Sequence, residues 1–260
     1  DRVVGSGWHE AAGGAHAEIA ALNDAAEPVR GLTAYVTLEP CAFHGRTPPC
    51  VDALIEAGIG RVVVPLEDPH ERVSGRGLQR LREAGVEVES GLLAEQAEDL
   101  NPGFLKRMRT GRPWLRVKSA VSLDGRTGLA SGESQWITGE AARRDVQRWR
   151  ARSSAVLTGS GTVLADDPRL NARVAGSVRQ PLRVVADSRW RTPVNSRLLA
   201  AGGDVLLAGV GEPPVALADG GADCLTLPAG EGGIDLGALL DELGRRGVRS
   251  DLYRAALDRR

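Results

Sequence analysis

Short runs of apolar and β-branched residues alternate with helix-forming segments along nearly the whole chain. Residues 33–38, 61–65 and 182–186 are typical of strands, whereas residues 49–57 and 139–150 have helical patterns. Chains with this alternation fold as layers of helices packed on mostly parallel sheets. The sequence therefore predicts an α/β fold rather than a β-sandwich or a helical bundle.

The same patterns divide the chain into two domains. The segment Thr110-Gly111-Arg112-Pro113 interrupts the alternation, because glycine and proline end regular elements. We therefore expect one domain over residues 1–110 and a second over residues 111–250, which a chain of 260 residues is long enough to form. Further strands are expected at residues 86–89, 114–121, 155–158, 205–208 and 224–227, and further helices at residues 78–84, 92–108 and 236–243.

Composition restricts the kind of partner. The formal net charge is -1, so the chain lacks the basic surface that binds nucleic acid non-specifically. It contains no apolar run of about 18 residues that could span a membrane. The 3 cysteines are too few for a disulfide scaffold and fit a reducing compartment. We expect a cytoplasmic protein acting on a small molecule, and the sequence leaves open whether it forms a homo-oligomer.

The strongest chemical signal is a set of potential zinc ligands. His16 and Glu18 are two residues apart, and Cys41 and Cys50 each follow a proline. One histidine and two thiolates supply three zinc ligands and leave one position open, as in catalytic sites. Each residue alone could be a helix cap or a small core residue, but the combination favours zinc. His-x-Glu with Pro-Cys-x-x-Cys is the signature of zinc deaminases, in which the glutamate transfers protons. This chain departs from it by having eight residues between the two cysteines.

The eight residues between the two cysteines, and the sequence around them, point to one family. Residues 37–50, Thr-Leu-Glu-Pro-Cys-Ala-Phe-His-Gly-Arg-Thr-Pro-Pro-Cys, closely resemble the bifunctional riboflavin biosynthesis deaminase/reductases. The resemblance continues at Asp68-Pro69, Gly75-Arg76-Gly77 and residues 101–104, 122–127, 131–138 and 161–168. It implies a cytidine-deaminase-like α/β/α domain followed by a dihydrofolate-reductase-like α/β domain.

The resemblance also assigns roles at the first site. His16, Cys41 and Cys50 would bind Zn²⁺, and Glu18 would take a proton from the attacking water and return it to departing ammonia. The substrate would be a 2,5-diamino-6-(phosphoribosylamino)pyrimidinone, with Arg46 near its phosphate or ribose.

In the second domain the resemblance implies NADPH-dependent reduction of the ribosyl group to ribityl, although no Gly-x-Gly-x-x-Gly motif follows a strand there. Lys118, one of only two lysines, either orients or protonates the sugar intermediate or is a solvated lysine at a strand edge. The resemblance places NADPH contacts at Ala120, Trp136, Thr162, Asp166 and Ser188. It places substrate contacts at Ser134, Arg150, Leu170 and Arg173.

Both ends of the chain depart from the family pattern. Residues 3–7 would be a strand at an exposed sheet edge. Residues 251–260 lie outside the pattern, and their charge distribution is typical of a short helix. The glycine turn that would hold the NADPH phosphates is not found, so we expect an incomplete reductase domain with weak or absent NADPH binding.

Two alternatives remain open from the sequence. A zinc deaminase acting on nucleic acid shares the His-x-Glu and Pro-Cys elements, but the near-neutral charge and the second domain disfavour it. A deaminase-only protein, or an inactive remnant of the family, would explain the departures at the ends.

Overall fold

The computed structural model of this chain describes residues 2–10, 13–131, 133, 136–176 and 179–248, and the backbone of residues 255–256. The chain separates into two compact units, Asp1–Arg109 and Thr110–Arg260. Each unit combines parallel strands with helices, which confirms the predicted α/β class. Within the described residues, no helix is both long and apolar enough to cross a membrane.

The first unit is built on a parallel sheet. Its described strands pair in the order β1 (Thr33–Tyr35), β2 (Arg61–Val64) and β3 (Glu87–Ser90). Apolar residues of the second and third helices, Leu54 and Leu78 among them, pack on Val62 and Val64 of β2, so the core lies between these helices and the sheet. The described helices of this unit are α1 (Ala17–Asp24), α2 (Cys50–Glu56), α3 (Arg76–Glu83), α4 (Ala94–Leu100) and α5 (Pro102–Thr110).

Two predictions for the first unit are wrong. The single helix predicted at residues 92–108 is two helices, because Asn101 leaves the helical conformation at φ -132° and Pro102 starts α5. Proline has no N–H and is accommodated in the first turn of a helix. Residues 3–7 form no strand; instead the N–H of Ala26 donates to the carbonyl of Val4 at 3.3 Å, and a Cβ at Gly5 or Gly7 would overlap the backbone of α1.

The second unit contains a larger parallel sheet. Two apolar clusters cover its faces: Leu206 packs with Leu239 of the last helix, whereas its neighbour Leu207 packs with Val163 and Leu198. This alternation follows from the two-residue period of a strand. The described strands lie in the order β4 (Leu115–Arg116), β11 (Ala255–Ala256), β5 (Ala155–Gly159), β6 (Leu182–Ala186), β7 (Val205–Gly209) and β8 (Asp223–Thr226).

An antiparallel pair and a set of helices complete the described part of this unit. The pair consists of β9 (Ala229–Gly230) and β10 (Gly233–Ile234). The helices are α6 (Glu140–Ala151), α7 (Ser160–Asp166), α8 (Arg197–Ala200), α9 (Val215–Asp219) and α10 (Leu236–Arg245).

Two expectations for the second unit need correction. The strand expected at residues 114–121 is limited to β4. The helix expected near the C-terminus is not formed at Ala255–Ala256, which pair with both β4 and β5. Hydrogen bonding to two strands satisfies the backbone better than an isolated short helix could. The other residues of 249–260 lie outside the described part of the chain.

Arg183 on β6 is a buried cation, only 2% exposed. It donates to the carbonyl oxygens of Leu198 at 2.6 Å and Gly203 at 2.7 Å, and to that of Gly202. Replacing it with methionine leaves these acceptors unpaired, so we expect Arg183→Met to lower the free energy of unfolding by about 3 kcal/mol. Urea unfolding followed by tryptophan fluorescence would measure this. The exposed Arg189 provides the control Arg189→Met, and equal stability of the two variants would contradict the assignment.

Candidate functional site

The three potential zinc ligands are placed by the starts of two helices and a loop. His16 is the N-cap residue of α1, and Cys50 is the first residue of α2, directly after Pro49. Cys41 lies in the loop between β1 and α2 and is tied to that helix by two backbone donors. The N–H of Cys50 lies 3.3 Å from the Cys41 sulfur, and the N–H of Val51 donates to the Cys41 carbonyl at 3.2 Å.

The geometry of these side chains fits a zinc ion. The Nδ1 atom of His16 lies 3.6 Å from the Cys41 sulfur and 3.2 Å from the Cys50 sulfur, and the three ligand atoms lie within 4.8 Å of one another. Tetrahedral zinc with bonds of about 2.0 Å to nitrogen and about 2.3 Å to sulfur requires nitrogen–sulfur separations of about 3.5 Å. The donor set and its spacing therefore suit zinc, and three ligands leave the fourth position open.

The histidine ring is oriented so that one nitrogen faces the sulfurs and the other faces away. Its Nε2 lies 3.5 Å from the hydroxyl oxygen of Thr47. The ring of His9 meets that of His16 edge-on, with centroids 5.4 Å apart, while His9 Nδ1 bonds to the carbonyl of Ala15 at 2.9 Å. A partner on the second nitrogen fixes the tautomer and leaves Nδ1 available to a metal.

The side chains of Cys41 and Cys50 are hydrogen-bonded to each other. The hydrogen bond from the Cys50 thiol lowers the pKa of Cys41 to about 4, and His16 adds to this effect. The same hydrogen bond, followed by burial, raises the pKa of Cys50. The contact with Cys41 likewise raises the pKa of His16. Metal ligation requires thiolates, and the lowered pKa of Cys41 favours one of them.

Glu18 lies beside this cluster. It is half-buried in the first turn of α1, and its carboxyl group contacts the Cys50 thiol. Burial raises the pKa of Glu18 above its ordinary value, as expected for a carboxyl group that can both accept and return a proton. A cavity of about 840 Å³ is lined by Glu18 together with Gly7, Leu22, Val36 and Leu54.

The loop between the cysteines contacts another part of the first unit. The ring of Phe43 stacks on His70 with centroids 6.0 Å apart, and the guanidinium of Arg72 lies 4.2 Å from the Phe43 centroid. Arg46 is exposed, and the structure leaves its side chain free to meet a ligand from solvent. His44 is exposed and does not belong to the zinc-ligand cluster found among the described residues.

In the second unit, the predicted substrate residues Arg150, Leu170 and Arg173 lie in one region. Leu170 is buried with φ +52°, and this turn brings Asn171 between the two arginines. Arg150 donates to the Asn171 carbonyl at 3.4 Å, and Arg173 donates to the Asn171 side chain at 3.1 Å. Burial and then the charge of Arg173 lower the pKa of Arg150. Two cations held together with no carboxylate bridging them among the described residues suit an anion such as phosphate.

The predicted cofactor residues are more dispersed. Thr162 lies in α7, directly after β5, and Ser188 follows β6, so both belong to the carboxyl edge of the parallel sheet, where α/β folds bind ligands. Arg191 connects the two loops by donating to the Ser160 hydroxyl at 3.0 Å. A Cβ at Gly233 would lie only 2.7 Å from the Ser188 hydroxyl oxygen, so Ser188 is packed closely against Gly233. Hydroxyl donors at this edge suit the polar groups of a nicotinamide dinucleotide.

The remaining predicted residues do not join a cluster. Lys118 is exposed and lies beyond the end of β4, so its expected place on a strand is wrong. Trp136 is 70% exposed, and the guanidinium carbon of Arg143 lies 4.4 Å from the centroid of its ring. Ala120 is half-buried in an irregular segment, and Asp166 is exposed at the end of α7. Ser134 lies outside the described residues.

Thr47 and Glu39 lie next to the predicted ligands, in space and in sequence respectively, and neither was predicted from the sequence. Thr47 faces the metal-ligand histidine, and buried Glu39 directly precedes Pro40 and Cys41. A carboxylate next to a Pro-Cys pair in an otherwise apolar run was the available signal for Glu39, but its partners lie 29 to 39 residues further along the chain.

Comparisons with known proteins cover both units. The family model described as the RibD C-terminal domain matches residues 113–253. The model described as the cytidine and deoxycytidylate deaminase zinc-binding region matches residues 1–66.

Individual relatives agree with these matches. The riboflavin biosynthesis protein RibD of Escherichia coli strain K12 is 49% identical over 261 residues, which cover 95% of this chain and 71% of that protein. RibD of Haemophilus influenzae is 52% identical over 208 residues, and the matched part spans 56% of that protein. RibD of Acinetobacter baumannii, a solved structure, superposes with a TM-score of 0.86 at 48% identity, over 94% of this chain and 68% of that one.

A second solved structure comes from Thermotoga maritima. It is described as a diaminohydroxyphosphoribosylaminopyrimidine deaminase/5-amino-6-(5-phosphoribosylamino)uracil reductase, and it is 35% identical with a TM-score of 0.83. It covers 94% of this chain, which in turn spans 68% of that protein.

Proposed function

Because this chain belongs to the RibD family of riboflavin biosynthesis proteins, we propose that it catalyses two consecutive steps on a phosphoribosylaminopyrimidine. The first step is the hydrolytic deamination of 2,5-diamino-6-(phosphoribosylamino)pyrimidinone. The second is the NADPH-dependent reduction of the ribosyl group to ribityl. The partner is a small cytoplasmic metabolite rather than nucleic acid or a membrane. The observation that carries this proposal is the cluster of His16, Cys41 and Cys50 beside Glu18.

Deamination is assigned to the first unit. His16, Cys41 and Cys50 would hold zinc, which when bound lowers the pKa of a coordinated water to about 7 and so provides a nucleophile at neutral pH. Glu18 accepts a proton from the attacking water at its carboxylate oxygen. It then returns that proton to the amino nitrogen, which leaves the pyrimidine carbon as ammonia. One carboxyl group serves as base and then as acid, in keeping with the raised pKa of Glu18.

Reduction is assigned to the second unit. NADPH supplies the hydride, and the residues of the chain position the reactants. Thr162 and Ser188 would hold the cofactor at the carboxyl edge of the sheet, with Ala120, Trp136 and Asp166 as further contacts. Arg150, Arg173 and Leu170, with Ser134, would hold the substrate, and the two guanidinium groups would bind its phosphate. Lys118 is proposed to orient or protonate the sugar.

The phosphate assignment predicts a separation of the two activities. We expect Arg150→Met to raise the KM of the reduction step about tenfold or more, because a charge-assisted contact to phosphate is lost. Deamination by the same protein should be unchanged. Arg148→Met alters an exposed arginine of the same helix and is the matched control. Steady-state kinetics of each step would measure both effects, and an unchanged KM for reduction in Arg150→Met would contradict the phosphate assignment.

The proposal is tested by assaying the two steps separately with purified protein. Ammonia release from the diaminopyrimidine substrate measures the first step, and NADPH oxidation with the deaminated product measures the second. Both activities are expected from the family, and reduction with a low KM for NADPH would show that the weak or absent NADPH binding predicted from the sequence is wrong. Deamination without reduction would establish the deaminase-only alternative, and absence of both would establish an inactive family member.

A nucleic-acid deaminase is the weaker alternative. The family match to the second unit and the net charge of -1 both favour a small metabolite over a polyanionic partner. Deamination of single-stranded DNA or RNA by the purified chain, with none of the pyrimidine nucleotide, would reverse this preference.

A further inference from the structure

Glu39 is a buried carboxylate whose hydrogen bonds all go to one distant segment. Glu39 is only 4% exposed to solvent. One oxygen accepts the N–H groups of Gly77 at 2.7 Å and Leu78 at 3.3 Å. The other oxygen accepts those of Asp68 at 3.1 Å and Gly75 at 2.9 Å.

These contacts make Glu39 the capping group of α3. The first N–H groups of a helix have no partner within the helix, and the N-cap residue of α3, Gly75, makes no side-chain bond to them. Glu39 supplies the missing acceptor from a different part of the chain. A buried carboxylate would be costly without such donors, so the carboxylate and the start of α3 stabilise each other.

The same segment is held close to the metal ligand Cys41. The N–H of Glu39 donates to the carbonyl of Leu66 at 3.1 Å, just after β2. A Cβ at Gly77 would overlap the carbonyl oxygen of Pro40, so α3 and the Pro40 peptide are in direct contact. Pro40 has a restricted φ angle, so little freedom remains between Glu39 and Cys41.

We propose that Glu39 is a positioning residue for the metal centre. By fixing the Glu39–Cys41 segment against α3 and the loop at Asp68, its carboxylate sets where the Cys41 sulfur lies relative to His16 and Cys50. This inference rests on the zinc site of the proposed function. Glu39 contacts neither the metal nor the substrate in this proposal. It acts through the backbone of Pro40 and Cys41.

Cobalt binding distinguishes this role from a general contribution to stability. Co²⁺ replaces Zn²⁺ at such sites and gives visible absorption bands that depend on ligand geometry. We expect Glu39→Gln to lower the affinity for Co²⁺ and Zn²⁺ about tenfold, as changes around metal ligands commonly do, and to shift the cobalt bands. Glu67→Gln is the matched control, because Glu67 is exposed beside the same loop and should leave affinity and bands unchanged.

A second variant perturbs the contact between α3 and the Pro40 peptide by changing Gly77 instead of Glu39. Gly77→Ala pushes on the Pro40 carbonyl while keeping the Glu39 carboxylate, so it should produce the same loss of affinity and band shift. If Glu39→Gln does not fold, Gly77→Ala by itself tests the positioning role. Wild-type affinity and bands in the folded variants would overturn the positioning role, even if thermal stability fell. A wild-type chain that binds neither metal would instead overturn the zinc site and this inference with it.

Discussion

Replacing Glu18 with glutamine is expected to lower the rate of deamination by about a thousandfold while the protein keeps about one zinc ion per chain. The amide has nearly the same shape as the carboxyl group, so the cluster of His16, Cys41 and Cys50 should persist. The amide can neither take the proton from water nor deliver it to the leaving nitrogen. Ammonia release would measure the rate, and elemental analysis of the purified variant would measure the metal.

The matched control for this change is Glu56→Gln. Glu56 is exposed at the end of α2, so this variant should keep both zinc and activity. Turnover of Glu18→Gln close to that of the control would remove Glu18 as the proton carrier. Loss of zinc in Glu18→Gln would mean that the carboxyl group acts on the metal site rather than in proton transfer.

Replacing Cys50 with serine is expected to abolish stable zinc binding. Cys50 is fully buried at the start of α2, and serine fits the same space but does not supply a thiolate. Loss of a direct ligand should reduce zinc affinity by more than the about 10- to 100-fold that changes around ligands cause. Deamination should disappear with the metal. Competition with a chromophoric chelator would measure the affinity.

Cys224→Ser is the control for this second change. Cys224 is half-buried on β8 of the other unit, and its sulfur lies 3.9 Å from the carbonyl of Ala222. Its replacement should leave zinc content and deamination unchanged. Equal zinc content in Cys50→Ser and Cys224→Ser would show that the thiolates of the first unit do not hold the metal.

Local patterns predicted much of this fold because they depend on neighbouring residues. The strand at 182–186 is found at those bounds, since its apolar β-branched residues are buried in the sheet. Helix α2 was expected at residues 49–57 and is found at Cys50–Glu56. The break at Asn101 could also have been predicted locally from Pro102, but the helical patterns on both sides of this proline favoured a single helix.

Features that depend on distant partners were not predictable in this way. The pairing of Ala255–Ala256 with β4 and β5 depends on strands far away in sequence, so local charge suggested a helix instead. The extent of β4 is likewise set by its neighbour and not by the alternating apolar and polar residues that continue to Val121. At the site, the ligand residues followed from spacing, whereas the contact of Thr47 with His16 and the bonds of Glu39 required the folded chain.

The most direct test of the zinc site is X-ray absorption spectroscopy of the purified protein at the zinc edge. If His16, Cys41 and Cys50 hold the metal with one open position, the spectrum should fit two sulfur atoms at about 2.3 Å and two nitrogen or oxygen atoms at about 2.0 Å. A shell of only nitrogen and oxygen, four sulfur atoms, or protein that contains no zinc after purification without chelators would contradict it.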